Sequence, residues 1–217
     1  MSEVAAHFIS CLDRAEARAF PFSHWLLSDV LPDAMCVGID ALPVAPAISG
    51  DTQGKRETNN SLRVFFGAAQ RSAWPACQSV AAGLQNPIVA RQLEHVCGIT
   101  LAGSYLRIEY CLDTQGFWLE PHTDIGAKLL TMLIYLSDTP GCEAWGTDLL
   151  DSEKRLVATT PYHRNDGFMF IPGSDTWHGF RERPIRGVRR SLIVNYVIPE
   201  WRSRHELAFP QEPVGGA

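Results

Sequence analysis

From residue 103 to residue 197 the chain breaks into short apolar-rich segments set apart by turn residues, and no other feature limits its fold as strongly. Eight such segments are legible: 103–111, 117–122, 128–136, 146–151, 154–158, 167–171, 176–181 and 188–197. Asp138 to Gly141 and Pro172-Gly173 supply turn chemistry between them. Short strands at this spacing predict a sandwich or barrel, and eight of them match a jelly roll. The predicted class is α+β and mainly β: a cupin-like double-stranded β-helix with an N-terminal helical extension packed on the major sheet.

The first hundred residues read differently. Residues 3–30 mix apolar and charged positions in a way that suits amphipathic helix, broken or restarted at Pro21. Residues 38–50 hold two prolines, Pro43 and Pro46, and predict an extended linker or edge strand. Residues 50–61 are strongly polar and predict a loop. Leu62 to Phe66 is a short strand candidate, and 74–97 predicts helix interrupted at Pro87. The organisation is thus 1–100 as helical extension and polar loop, 101–199 as β core and 200–217 as a tail, in one compact domain. The tail is expected to fray from Gln211 onward.

Chemistry enters with His122, Thr123 and Asp124, answered by His178. His and Asp two positions apart on an extended strand project to the same side. His122 closes the second predicted strand, Asp124 lies in the turn after it, and His178 lies in the seventh. In a jelly roll the second and seventh strands can be neighbours. Two imidazoles and one carboxylate on one face of a metal leave the opposite face open, the arrangement of non-haem Fe(II) oxygenases. The ligands alone do not name the metal, because Mn, Co, Ni and Zn also accept such a set. His7, His24, His95, His163 and His205 are read as structural.

Alternation on the last strand puts Arg189, Ser191, Ile193 and Asn195 on one face and Arg190, Leu192, Val194 and Tyr196 on the other. An arginine aimed into a barrel is costly unless it meets an anion, and a bidentate carboxylate is its natural partner.

The order of these signals resembles the 2-oxoglutarate/Fe(II)-dependent dioxygenases in their prolyl-4-hydroxylase-like branch. The match runs over roughly Leu101 to Pro199: Tyr110 before a loop, His122-x-Asp124, a strand from Leu129 to Leu136 with Thr131 and Tyr135, a strand opened by Gly167, then His178 and Arg189-x-Ser191. The resemblance implies Fe(II), 2-oxoglutarate and O₂ as reactants, with ascorbate as a reductant. It implies that Arg189 and Ser191 hold the distal carboxylate of 2-oxoglutarate, with Tyr135, Tyr110 and Thr131 as further candidates. Halogenases of this fold replace the carboxylate ligand by Gly or Ala, so Asp124 argues for oxygen transfer.

Substrate contacts are less marked. Trp118 and Glu120 share the parity of His122 and are expected at the pocket mouth. Asn59, Asn60 and Arg63 belong to a polar stretch placed to cover the site, and Trp145 to Asp148 sits where the family varies. The 217 residues carry a net charge of −5, which offers no attraction to nucleic acid. No uninterrupted apolar run reaches membrane-spanning length and the N-terminus shows no secretory pattern. Six scattered cysteines without a Cys-x-x-Cys pair suit a reducing cytoplasm. The expected function is hydroxylation of an unactivated C–H bond in a small metabolite, with succinate and CO₂ as coproducts, by a monomer or homodimer. A desaturase, an epimerase or a hydroxylase of a protein side chain would keep the same ligands. The competing class is a non-catalytic, cupin-like metal-binding or small-molecule-sensing module.

Overall fold

The computed structural model describes residues 1–46, 54–55 and 63–215. Asn59 and Asn60, and most of the polar loop, lie outside these described residues. The chain order is α1 (Glu3–Asp13), β1 (Glu16–Arg18), β2 (His24–Leu27), α2 (Asp33–Asp40), β3 (Val64–Phe65), α3 (Ala68–Ala73), α4 (Pro75–Gln85) and α5 (Pro87–Cys97). The strands β4 (Tyr105–Asp113), β5 (Leu119–His122), β6 (Lys128–Tyr135), β7 (Asp148–Leu150), β8 (Leu156–Thr159), β9 (Gly167–Phe170), β10 (His178–Phe180) and β11 (Arg189–Val197) follow. Each of the eight expected strands forms, most of them shorter than the sequence suggests.

The strands make two antiparallel sheets. The larger has the order β1-β2-β9-β6-β11-β4-β3, and the smaller β5-β10-β7-β8. The two longest strands, β4 and β11, pair along their whole length, from Arg189 opposite Asp113 to Val197 opposite Tyr105. On β11 the alternating pattern separates two environments. Leu192, Val194 and Tyr196 join a core with Leu106, Ile108 and Tyr110 of β4, Leu130, Met132 and Ile134 of β6, and the buried faces of α1, α2, α4 and α5. The opposite face of the large sheet meets the small sheet. Leu133, Tyr135, Phe168 and Phe170 pack there against Leu149 and Phe180.

The helical half shows why some expectations changed. α1 stops at Asp13, and the following segment forms a hairpin whose second strand pairs with β9, Trp25 opposite Met169. The mixed pattern of residues 16–27 is therefore an edge hairpin, because pairing with an open sheet edge outweighs a weak helical periodicity. Residues 38–40, read as extended, complete α2. Pro87 does separate two helices: it opens α5, with the Asn86 side chain accepting from the Ile88 amide. The tail does not fray at Gln211. Ala208 bonds the Leu106 carbonyl, Val214 bonds that of Ser104, and Val214 is fully buried. All six cysteines are buried, and burial pushes the Cys11 and Cys97 thiols up to about 12. No helix among the described residues is long and apolar enough to cross a membrane.

α1 and α4 cross where Gly83 meets Val4. A Cβ on Gly83 would lie 2.4 Å from Val4 Cγ1 and 2.7 Å from its Cβ. Ala is favoured over Gly in a helix by about 1 kcal/mol, whereas overpacking costs about 1–3 kcal/mol. Gly83→Ala is therefore expected to lower the melting temperature. A rise would show that α1 can shift away without loss.

Candidate metal and cosubstrate site

β5 and β10 pair so that His122 stands opposite His178. Their ring centroids are 4.3 Å apart. Asp124 follows in the β5–β6 connection, and one ligand atom from each of the three residues lies within 4.8 Å of the others. Each imidazole is oriented by a backbone carbonyl. His122 Nδ1 lies 2.8 Å from Glu120 O, and His178 Nδ1 lies 2.9 Å from Thr176 O. A carbonyl only accepts, so both Nδ1 atoms donate and both Nε2 lone pairs are left to coordinate.

Electrostatics favour the ligating forms. Burial, then the neighbouring His122, lower the His178 pKa to about 4, so His178 is neutral at neutral pH. Burial alone would raise the Asp124 carboxyl. Lys128 and His178, with hydrogen bonds from Lys128 and Thr131, outweigh it and hold the group below its ordinary value. Lys128 Nζ lies 2.5 Å from Oδ1, and Thr131 Oγ1 donates to Oδ2 at 2.6 Å.

The triad borders a cavity of about 720 Å³. Its lining includes Arg189, Thr147, Phe180 and Ile193, together with Arg63, Phe65, Arg107, Glu109, Trp201, His205 and Glu206. Arg189 is 2% exposed. Its Nε donates to Trp145 O at 2.8 Å and its Nη1 to Asp113 at 2.7 Å; neither bond uses Nη2. Asp113 thus balances a buried charge that would otherwise stand alone. Ser191, two positions on, is fully buried, and its Oγ has no hydrogen-bond partner. Arg189 reaches the cavity wall and its fork fits a ligand carboxylate, whereas Ser191 lies behind that wall.

Other candidates are placed differently. Tyr110 lies on the helical side of β4, within the apolar core; strand parity takes it out of the site. Tyr135 faces inward but lies behind the cavity wall. Its hydroxyl is 2.7 Å from Thr160 Oγ1 and 3.0 Å from Thr147 Oγ1, and its ring stacks on Tyr162. Thr131 borders the cavity, yet its proton goes to Asp124. Trp118 packs under Gly54: a Cβ there would come within 2.6 Å of the indole, and the positive φ of 70° also favours glycine. Leu119 and Glu120 line the cavity instead. Arg63 lines it too, gripping Glu109 with bonds of 2.8 and 2.7 Å. Trp145 and Asp148 are buried supports, Asp148 holding Arg181 and Arg183. His205, read as structural, borders the cavity edge-on to Phe65.

Arg107, Glu109, Asp113, Lys128 and Glu206 join the site without having been sequence candidates, and Asn195, placed by alternation on the face of Arg189, gains a partner in Arg107. For Asp113 a signal existed, because it pairs across the ladder with Arg189. For Glu206 none did, since it reaches the site from a short helical turn, Arg204–Glu206, 99 residues from its partner Arg107.

No family model and no curated protein matches the sequence. Solved structures do match. A prolyl-4-hydroxylase from Pseudomonas putida superposes with a TM-score of 0.58 at 14% identity, over 90% of this chain and 98% of that one. The chain has the fold of the 2-oxoglutarate/Fe(II) oxygenases in its prolyl-4-hydroxylase-like form. A prolyl hydroxylase from Trichoplax adhaerens, in complex with a hypoxia inducible factor oxygen degradation domain peptide fragment, gives 0.54 at 10% identity, over 89% of both chains. The non-heme alpha ketoglutarate dependent epimerase SnoN, from nogalamycin biosynthesis, gives 0.54 at 15%, over 90% of this chain and 83% of that one.

The depressed His178 pKa sets a pH dependence. Between about 4 and the ordinary value of 6.5 the unfolded chain binds a proton that the folded chain excludes. Stability of the metal-free protein is therefore lost as pH falls through that window, by on the order of 3 kcal/mol from this residue if the full shift is expressed. Urea unfolding at each end of the window measures it. His178→Gln is expected to show a shallower loss; an equal loss in both proteins would mean that His178 titrates normally.

Proposed function

We propose that the protein is an Fe(II)- and 2-oxoglutarate-dependent oxygenase that hydroxylates an unactivated C–H bond of a small metabolite, with succinate and CO₂ as coproducts. The observation that carries this reading is the convergence of His122, Asp124 and His178 on a cavity whose wall also holds the buried Arg189. The strand orders of the two sheets support a double-stranded β-helix with the helical extension on the larger sheet. The site sits in the cytoplasm in this reading, in a monomer or homodimer that needs neither membrane nor nucleic acid.

Iron bound with 2-oxoglutarate would supply the activation of O₂ and the oxidation of the C–H bond, ascorbate serving as reductant. His122 and His178 offer neutral imidazole nitrogens and Asp124 a carboxylate that stays ionised. Arg189 offers Nη2 to the distal carboxylate of the cosubstrate, with Ser191 buried behind it. Leu133, Phe180 and Ile193 line the space between and exclude water from it. Beyond the triad, Glu120, Arg63 and the aromatic edges of Phe65 and Trp201 face the remaining volume, which suits a polar small molecule rather than an apolar one.

A protein side chain is the second reading, motivated by the peptide-bound Trichoplax neighbour. The test is conversion of 2-oxoglutarate to succinate with Fe(II) and ascorbate, run against fractionated metabolite pools and, separately, proline-containing peptides. A metabolite fraction is expected to drive turnover that His122→Ala abolishes. Product formed under ¹⁸O₂ with excess chloride is expected to gain oxygen and no halogen. Turnover by peptides alone would replace the substrate reading. Tight metal binding without turnover by any substrate would favour the non-catalytic module.

A further inference from the structure

A chain of four hydrogen bonds runs from Glu206 through Arg107, Asn195 and Thr131 to Asp124, and its direction is fixed at the distal end. Arg107 Nε donates to Glu206 Oε2 at 2.6 Å, and its Nη2 donates to Glu109 Oε2 at 2.8 Å. Its Nη1 donates to Asn195 Oδ1 at 2.9 Å. A guanidinium has no acceptor, so the oxygen of the Asn195 amide must face Arg107. The Asn195 NH₂ then faces Thr131 and donates to Oγ1 at 3.0 Å. Having accepted that bond, Thr131 directs its single proton to Asp124 Oδ2, 2.6 Å away. Arg107, Thr131 and Asn195 are each 2% exposed or less.

We propose that Arg107 and Asn195 are positioning residues for the metal carboxylate: they dictate that Thr131 donates to Asp124 Oδ2. This inference rests on the metal-site reading of the triad. With Oδ2 held, Asp124 presents Oδ1, whose present partner Lys128 sits on a long flexible stem and can give way to a cation. Glu109 and Glu206 hold the Arg107 guanidinium in place and balance its buried charge. Supporting hydrogen bonds of this kind alter metal affinity by about 10–100-fold when removed.

Asn195→Asp tests the direction of the chain with almost no change of shape. The new carboxylate still accepts from Arg107 but cannot donate to Thr131. Thr131 then turns its proton to residue 195, and Asp124 loses its donor. A general electrostatic effect would run the other way, because an added negative charge near the site attracts a cation more strongly. Mn(II) affinity is measured by calorimetry on the full chain, with melting temperature as the fold control, for the wild type, Asn195→Asp, Thr131→Val and the double variant. The expected result is Mn(II) binding weakened about tenfold or more by Asn195→Asp, with no further weakening when it is added to Thr131→Val. Thr131→Ser is expected to restore near-wild-type affinity. Unchanged or tighter binding in Asn195→Asp, or full additivity in the double variant, would overturn the positioning role. If the wild type itself binds no Mn(II), it is the metal-site reading that fails.

Discussion

β11 lies between β6 and β4 in the large sheet, and the polar wall of the site depends on its register. Because side chains alternate with a period of two, one residue of slip would send Arg189, Ser191 and Asn195 into the helical core and Leu192, Val194 and Tyr196 into the cavity. The apolar face prevents this. Leu192, Val194 and Tyr196 are fully buried among helical side chains, and the Tyr196 hydroxyl donates to Leu84 O of α4 at 2.7 Å. The helices thus hold the strand that holds the polar site, which gives the first hundred residues a physical role in the chemistry.

The small sheet contributes what the large one cannot. Its β5–β10 pair sets two imidazoles opposite each other, and backbone carbonyls choose their tautomers. Neither sheet alone assembles the site: the carboxylate of Asp124 is anchored on Thr131 of the large sheet, while the histidines belong to the small one. The gap between the sheets is therefore fixed at the point where ligand distances matter most.

What could be read in the chain follows from the range of the interactions. Strands, turn residues, the His122-x-Asp124 pair and the facing of Arg189 are set by local pattern, and parity along one strand was enough to find them. Tyr110 shares the parity of Leu106 and Ile108 on β4 and so faces the helices. The Tyr135 hydroxyl is taken by Thr147 and Thr160, which lie beside β7 and β8 and come to it only in the folded chain. The hairpin at 16–27 was illegible as such, since its strand character comes from β9, some 140 residues away. Glu206 and Arg107 meet only in the folded chain, and no spacing announces them.

The central claim is that Arg189 and the triad would together hold one cosubstrate. Calorimetric titration of 2-oxoglutarate into the Mn(II)-loaded protein and the metal-free protein tests it most directly, with Arg189→Ala and Arg190→Ala alongside. Loss of a buried, charge-paired contact corresponds to about 2–5 kcal/mol. The account predicts binding that requires Mn(II), at least tenfold weaker in Arg189→Ala and little altered in Arg190→Ala. Metal-independent binding, or equal losses at the two arginines, would contradict it.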